Sequence, residues 1–418
     1  MTLMRMMMVD LSLLNVSLYD ERIGTLALLP GDQTLFSFDQ GYIDNPRRPK
    51  LGLLFQDAYG ELITEVKPTR TRVPPFFSNL LPEGSLRDYL ARKAGVNAKR
   101  EFFLLWVLGR DLPGAVTITP ADDEPWPPET GGKYSDEQIE QNAALHFSLA
   151  GVQLKFSAVM EANGGLTIPA QGIGGSWIAK LPSTTFEAVP ENEYAMMTLA
   201  RQVGLDVPEV RLVPVKDIAG LPEEMGRMGG NALAVKRFDR TDEGRIHIED
   251  FAQVFGIYPE KKYERISYRN IAEVLWAETG EEGIAELIRR LVYNAMIGNA
   301  DMHLKNWSLV YPDKRTARLS PGYDFVSTIC YLDDTKMALK LGRSKEMREL
   351  SLDQLSYLAA KARLPEKLVL DAGRETVERF MDIWQGGQAI RDISPIATGP
   401  IEDLLARIPL LSEVAMTK

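Results

Sequence analysis

Period-two apolar alternation ahead of Asp250, apolar residues at i, i+3 and i+4 after it, and two acids, Asp301 and Asp324, beyond the first helices of the second half predict an α+β chain. The N-terminal half should be β-rich and the C-terminal lobe all-α, which is the order of a two-lobed, protein-kinase-like fold. At 418 residues the chain exceeds one compact core and should divide into two or three domains. Its 45% hydrophobic and 25% charged residues are the proportions of a soluble globular protein. A formal charge of -10 argues against the whole chain binding nucleic acid, while leaving room for a basic patch or a DNA-binding partner. The single cysteine, Cys330, permits neither an internal disulfide nor a Cys-rich metal site, as expected in a reducing cytoplasm. No segment has the apolar length of a membrane helix, so no membrane partner is expected. The Met-rich start reads as a leading strand or a misplaced start codon rather than a signal peptide.

Taken in order, VSLYDERIGTLALL from Val16 predicts a strand, Pro30-Gly31-Asp32 a tight connection, and TLFSFDQGYI an alternating strand. PPFFSNLLPEG, from Pro74, is an aromatic connection into SLRDYLARKAG, a helix that Ser85 can cap and Gly95 close. Phe102 to Gly109 has the density of a buried helix, Asp111-Leu112-Pro113-Gly114 makes a turn, and AVTITP a short strand. The acidic, aperiodic stretch from Ala121 to Lys133 predicts a domain linker. The expected units are therefore 1–125, 140–256 and 257–418.

Past the linker, FSLAGVQLKFS and AVMEA, then the turn Asn163-Gly164-Gly165, form a strand, a small-residue loop and a returning strand that can expose N–H groups to phosphate oxygens. A plain hairpin fits the same residues, because Gly151 alone makes neither a Walker loop nor G-x-G-x-x-G. Lys180 in WIAKLP faces the side opposite Ala179; if buried it needs an anion, and Glu193 on the following helix can hold it, whereas a solvated strand lysine is the plain alternative. AVKRFD, from Ala234, is another strand whose exposed backbone edge can read an adenine ring. Beyond Asp250, DFAQVFG, YRNIAEVLWAETG, GIAELIRRLVYNAMIGN and LDQLSYLAAKA carry helical spacing.

The chemistry concentrates in NAMIGNADMHLKNWSLVY, from Asn294 to Tyr311. Asp301 stands five positions before Asn306, a D-x-x-x-x-N spacing that places a base and a magnesium-binding amide together, and Asp324 follows in Gly322-Tyr323-Asp324-Phe325. A capped turn uses the same residue types, so the spacing needs its context. Of the three histidines, His303 between base and amide has the strongest claim; His146 and His247 read as loop residues, and the three lack zinc spacing. Cys330 reads as a packed side chain. Lys336, Lys340, Arg343, Lys345 and Arg348 read as a solvated face that can also approach DNA.

SLAGVQLKFS, WIAKLP, AVKRFDR, HIEDFAQVFG, IGNADMHLKNWSL and YDFVS, in this order, closely resemble segments of the HipA-type serine/threonine kinases, the toxin halves of bacterial toxin-antitoxin pairs. RIGTLALL, FFSNLLPEG and LLWVLGRDLPGAV look like that family's accessory subdomain, so the resemblance covers most of the chain. It implies an accessory subdomain at 1–125, a kinase N-lobe at 140–256 and a helical C-lobe at 257–418. It implies ATP and Mg²⁺ as cofactors, with a phosphate loop of Ala150, Gly151, Val152, Gln153, Leu154 and Lys155, and Lys180 on the phosphates. By the same resemblance Lys236, Arg237 and Phe238 are the adenine-contacting hinge, Asp301 the catalytic base, and Asn306 and Asp324 the magnesium ligands. His303 and Lys305 then neighbour the phosphates, and Tyr323 lies beside the nucleotide. Ser148 matches a serine whose autophosphorylation expels the loop. Ile248 departs from the family, which often has a polar residue there, so a nucleotide contact is not expected from it. The implied partners are a small helix-turn-helix, HipB-like antitoxin, operator DNA reached through it, and a protein substrate such as an aminoacyl-tRNA synthetase. A lipid or small-molecule acceptor, or a nucleotide-binding corepressor subunit without turnover, are the alternatives; the intact set Lys180, Asp301, Asn306 and Asp324 argues against the last.

Overall fold

The structure is a computed structural model and describes residues 12–121, 154–162, 164–168, 174–386 and 392–416. The linker expected past Ala121, His146, Ser148, the loop residues Ala150 to Gln153, and Asn163 lie outside them.

Strands β1 (Ser12–Leu18), β2 (Glu21–Leu29), β3 (Gln33–Phe38), β4 (Thr69–Arg70) and β5 (Val116–Pro120) form an antiparallel sheet in the order β4-β3-β2-β1-β5. Leu14, Val16 and Leu18 are fully buried while their neighbours are less so, the period-two signature of a strand with one face on a core. The stretch expected as one strand from Val16 is instead a hairpin. Tyr19 and Asp20 both take positive φ, 53° and 65°, the backbone of a two-residue turn matched to strand twist. No glycine marks the reversal; the Tyr19 hydroxyl is instead held by distant groups, donating to Tyr311 O at 3.0 Å and accepting from the His247 N–H at 3.1 Å. The expected β3 strand also ends early, at Phe38, and Gln40–Ile43 is a helical turn. Helix α1 (Gly84–Lys93) starts one residue before Ser85, with Glu83 at the cap position, so Ser85 is not the cap. Gly95 does close it, at φ 68°, with the N–H of Val96 reaching back to Ala91 O at 2.9 Å. Helix α2 (Glu101–Leu108) completes this core with Phe102, Phe103 and Leu105.

The second unit is a six-stranded sheet in the order β10-β7-β6-β8-β11-β9, built from β6 (Lys155–Met160), β7 (Leu166–Thr167), β8 (Trp177–Lys180), β9 (Val210–Pro214), β10 (Ile218–Ala219) and β11 (Asn231–Lys236). Helix α3 (Val189–Val203) packs on β9 and β11. The expected exposed edge on AVKRFD is not there, because β11 pairs with β8 on one side and β9 on the other. The Arg237 N–H still reaches Ser176 O at 2.8 Å, so backbone free for a ligand can begin only past that residue.

A short hairpin, β12 (Arg240–Thr241) and β13 (Gly244–Arg245), leads to β14 (His247–Asp250), which pairs with β15 (Ser308–Tyr311) and through it with β16 (Arg318–Leu319). Asp250 caps the helical turn Phe251–Val254 in a reciprocal box with Gln253. Otherwise the lobe is helical: α4 (Tyr268–Met296), broken at Gly280, then α5 (Leu352–Ala362), α6 (Glu366–Gly386), α7 (Pro395–Leu405) and α8 (Pro409–Ala415). Among the described residues no helix is long and apolar enough to cross a membrane.

Buried polar groups weld the first unit to the others. Glu249, wholly buried, accepts the Leu53 N–H at 3.0 and 3.2 Å and the Tyr311 hydroxyl, and burial pushes its carboxyl up to about 8 against those hydrogen bonds. His247, also wholly buried rather than in a loop, bonds Leu51 O through Nε2 at 2.7 Å, and burial pushes its imidazole down to about 4. The two groups act oppositely on stability: Glu249 favours the folded state below its unfolded value and loses that as pH rises through about 8. An unfolded chain instead takes up a proton on His247 near pH 6.5 that the folded chain refuses until about 4, so this group costs stability as pH falls across that window. His247→Gln should therefore flatten the acid limb of the stability curve between those values by roughly 3 kcal/mol at its end. Denaturant midpoints across the window check it; parallel curves for the two proteins would show that His247 is not held neutral.

Candidate active site

Helix α4 ends at Met296, and Gly298, at φ 67°, turns the chain into the stretch that carries the acids. The turn is built by amides. Buried Asn299 donates to Asn294 Oδ1 at 2.8 Å and to Asp324 O at 3.3 Å, while its own Oδ1 accepts the Asp301 N–H at 3.0 Å. Asn306 Nδ2 then donates to Asp301 O at 2.9 Å. The five-residue spacing thus closes on itself, and one side chain, Asn299, ties both acidic positions together. Thr328 adds a second tie, accepting the Ala300 N–H at 2.8 Å and donating to Gly298 O at 3.1 Å.

Asp301 is exposed, and its Oδ1 accepts the Tyr263 hydroxyl at 2.6 Å. The surrounding protein pushes its carboxyl above the usual range, with the Tyr263 hydrogen bond and the Lys262 ammonium opposing. His303 accepts the Lys305 N–H on Nδ1 at 3.2 Å and packs edge-on against Tyr263, ring centres 5.0 Å apart. Burial first, then the cations of Lys262 and Lys305, hold its imidazole down to about 3, so it is neutral.

Lys180 has a 5% exposed residue surface and pairs with both Glu193, from α3, and Asp324. The expected anion is therefore double. Lys155 adds a second ammonium 3.4 Å from Asp324. Burial would raise the Asp324 carboxyl, but Lys155 and Lys180 more than offset it and hold the group well below the carboxylate range. The same carboxylates offset burial at Lys180 and raise its ammonium. Burial raises the Glu193 carboxyl, with Lys180 opposing. Asp324 occupies the left-handed region at φ 57°, uncommon outside glycine and a mark of a position set by its surroundings.

The described residues of the expected site, apart from Leu154, line one cleft of about 880 Å³. Leu154 instead packs in the core of the second unit, its carbonyl accepting the Leu181 N–H at 2.9 Å. Lys236 is exposed at the end of β11. Arg237 is turned into protein, its guanidinium paired with Asp239 at 2.8 Å and its N–H taken by Ser176 O, so neither group is left to contact a nucleotide. Phe238 and Tyr323 stand with ring centres 5.7 Å apart, and the Tyr323 hydroxyl donates to Lys305 O at 2.8 Å. Lys305 points away from the Asp324 end: its ammonium bonds Asp250 at 2.7 Å and Asn79 O at 2.8 Å. Ile248 lines the cleft as an apolar residue.

Reading the sequence missed five contributors. Asn299 lies inside the quoted stretch and is signalled only by its place two residues before Asp301. Tyr263 carries no motif. Asn79 and Glu83 belong to the first unit, where NLLPEG read as a connection, yet Glu83 bridges Lys262 at 2.9 Å. The fifth is Asp111, which joins Arg240 at 3.0 Å and the Gly174 N–H at 3.1 Å, while Asp239 accepts the Gly114 N–H at 2.8 Å. The residues after β11 are thereby anchored from the N-terminal unit.

Comparison with known proteins matches residues 147–384 to the HipA-like C-terminal domain and residues 14–119 to the HipA N-terminal domain. "Putative kinase Y4dM" of Sinorhizobium fredii is 56% identical over 384 residues, covering 90% of this chain and 92% of that protein. The serine/threonine-protein kinase toxin HipA of Shewanella oneidensis is 27% identical over 341 residues, 72% of this chain and 74% of that one. Among solved structures, a chain of the S. oneidensis complex of HipA, HipB and operator DNA superposes with a TM-score of 0.74 at 22% identity, covering 97% of this chain and all of that one, a likeness of fold.

Proposed function

The chain belongs to the HipA family, and from that membership and the geometry of the cleft we propose that it is an ATP- and Mg²⁺-dependent serine/threonine protein kinase, the toxin of a HipBA-like pair. The observation that carries this reading is the convergence of Lys180, Glu193 and Asp324 with Asp301 and Asn306 in one cleft. A lysine held between two carboxylates is poised to exchange one of them for phosphate oxygens, and Lys155 stands beside it. Among the described residues no group of three or more His, Cys, Asp or Glu gathers for a metal. The donor set is instead hard and sparse, the Asp324 carboxylate and the Asn306 carbonyl oxygen, whose amide nitrogen is committed to Asp301 O. That suits Mg²⁺, which takes few protein oxygens and completes its shell with phosphate and water. When bound, Mg²⁺ supplies charge that neutralises the phosphate oxygens.

In transfer, the acceptor hydroxyl oxygen forms a bond to the γ-phosphorus and the bond to the β–γ bridging oxygen breaks. The hydroxyl proton passes to the Asp301 carboxylate, and ADP leaves. A carboxyl pushed up by its surroundings accepts a proton more readily than an ordinary surface aspartate. The acceptor we propose is a serine or threonine of a protein such as an aminoacyl-tRNA synthetase. The S. oneidensis assembly with HipB and operator DNA supports a helix-turn-helix antitoxin as partner here, with DNA reached through it.

Incubation with labelled ATP, Mg²⁺ and host lysate, followed by phosphosite mapping, tests the reading; no labelled protein, this chain included, would sink it. The same mapping tests Ser148 as an off-switch. A phosphate there brings roughly -1.5 to -2 charges close, in sequence, to Lys155 and competes with ATP for it. Ser148→Asp should abolish nucleotide binding and Ser148→Ala should keep catalysis; a chain phosphorylated at Ser148 that binds ATP normally would reject the switch.

A further inference from the structure

We propose that Tyr263 is the positioning residue for Asp301, and that the N-terminal unit holds it in register through the Glu83–Lys262 bridge. This rests on the kinase reading and concerns the acceptor end of the same cleft. Tyr263 lies between the helical turn Pro259–Lys261 and α4, and at 43% exposure it is one of few large hydrophobic side chains facing solvent among the described residues. Its hydroxyl donates to Asp301 Oδ1 at 2.6 Å, and its ring meets that of His303 at 84°. An exposed aspartate rotates about its side-chain bonds unless something holds it. A hydrogen bond to Oδ1 fixes the plane of the carboxylate and leaves Oδ2 for the acceptor's proton. Burial and the Asp301 carboxylate push the Tyr263 phenol up, so it remains a donor.

The neighbouring residue explains how the tyrosine stays in place. Lys262 bridges Glu83 at 2.9 Å, and Glu83 sits at the cap of α1 in the N-terminal unit. Without Glu83, the Lys262 ammonium is released beside Asp301 and can replace the tyrosine hydroxyl on the carboxylate. The two contacts therefore form one chain, from the N-terminal unit to the base, and it does not involve Lys180 or Asp324.

The test uses the full-length chain with Tyr263→Phe, Glu83→Gln, Glu83→Asp and the Tyr263→Phe/Glu83→Gln double variant. Transfer to dephosphorylated casein serves as the serine/threonine probe, with Mg²⁺-ATP affinity and melting temperature measured on the same preparations. Tyr263→Phe should lower kcat by about tenfold or more, the cost of a mis-set reacting group, with nucleotide affinity and the KM for casein unchanged. Glu83→Gln should lose a comparable factor, Glu83→Asp should recover part of it, and the double variant should lose less than the product of the two. Tyr263→Phe turning over at the wild-type rate overturns the proposal, as does a kcat loss accompanied by an equal loss of nucleotide affinity or a fall in melting temperature. A wild-type chain that transfers no phosphate to casein or to itself overturns the kinase reading and this inference together, whereas an active wild type with an unaffected Tyr263→Phe overturns the inference alone.

Discussion

Asp301→Asn is expected to lower phosphate transfer by about 10²- to 10⁴-fold, the usual cost of removing a positioned base, while Mg²⁺-ATP affinity stays close to wild type. The two effects separate because the structure separates the groups. The proposed nucleotide end is the cluster of Lys155, Lys180 and Asp324. Asp301 touches none of them and takes its side-chain hydrogen bond from Tyr263. Its backbone is fixed independently, the N–H by Asn299 at 3.0 Å and the carbonyl by Asn306 at 2.9 Å, and an asparagine keeps both of these contacts. Asparagine also retains an oxygen to accept the Tyr263 hydroxyl, so the cleft keeps its shape while losing the proton acceptor. Calorimetric nucleotide titration and labelled transfer on one preparation give both numbers. Transfer at the wild-type rate would remove Asp301 from the chemistry, and a parallel collapse of ATP affinity would show that it belongs to the nucleotide end.

What could be read from the chain alone was what is local in it. The closure of Asp301 on Asn306 spans five residues, and a spacing that short constrains geometry before any fold is known. Lys180 and Glu193 stand 13 residues apart on a strand and the next helix, where the need of a buried ammonium for an anion links them. The partner that completes the pair, Asp324, is 144 residues from Lys180, and only the closed two-lobed fold brings it there. The Lys305 ammonium meets Asn79 across 226 residues, which is why NLLPEG read as a mere connection. The Tyr19-Asp20 reversal was invisible for a related reason: a turn with positive φ and no glycine is held by tertiary bonds to Tyr311 and His247 rather than by local preference. The free edge assigned to AVKRFD failed because strand propensity does not reveal sheet order, and β11 lies inside its sheet.

These distant ties change what the N-terminal unit is for. Glu249 and His247 clamp Leu53 and Leu51 in a buried polar junction. Asp111 and the Gly114 N–H reach the residues after β11, and Glu83 reaches Lys262 in the loop beside Asp301. Each is a polar group that would be left buried or unpaired if the unit detached, a costly outcome that favours one fixed docking over a loose one. Residues 12–121 thus help to shape both ends of the cleft.

Asp324→Asn should have the second-largest effect, and of a different kind: Mg²⁺-dependent nucleotide affinity and turnover should fall together. The substitution is chosen for the backbone. Asp324 sits at φ 57°, a region that asparagine tolerates and alanine resists, so asparagine removes the charge without adding strain. What it removes is the one carboxylate proposed as a metal ligand, and a hard divalent cation binds a neutral amide far more weakly than a carboxylate. The loss should exceed the roughly 10- to 100-fold that changes beyond the ligand sphere cost. Lys180 would then keep Glu193 as a carboxylate partner, so the ammonium should stay charged and placed, and binding of nucleotide without metal should change little. Asn306→Ala should follow the same pattern more mildly, since it removes the neutral ligand proposed beside Asp324 and the hydrogen bond to Asp301 O. Nucleotide titrations with and without Mg²⁺ separate the two contributions. If both variants kept the wild-type dependence on Mg²⁺, the metal would have to be held elsewhere, and the assignment of Asp324 would fail while that of Asp301 stood.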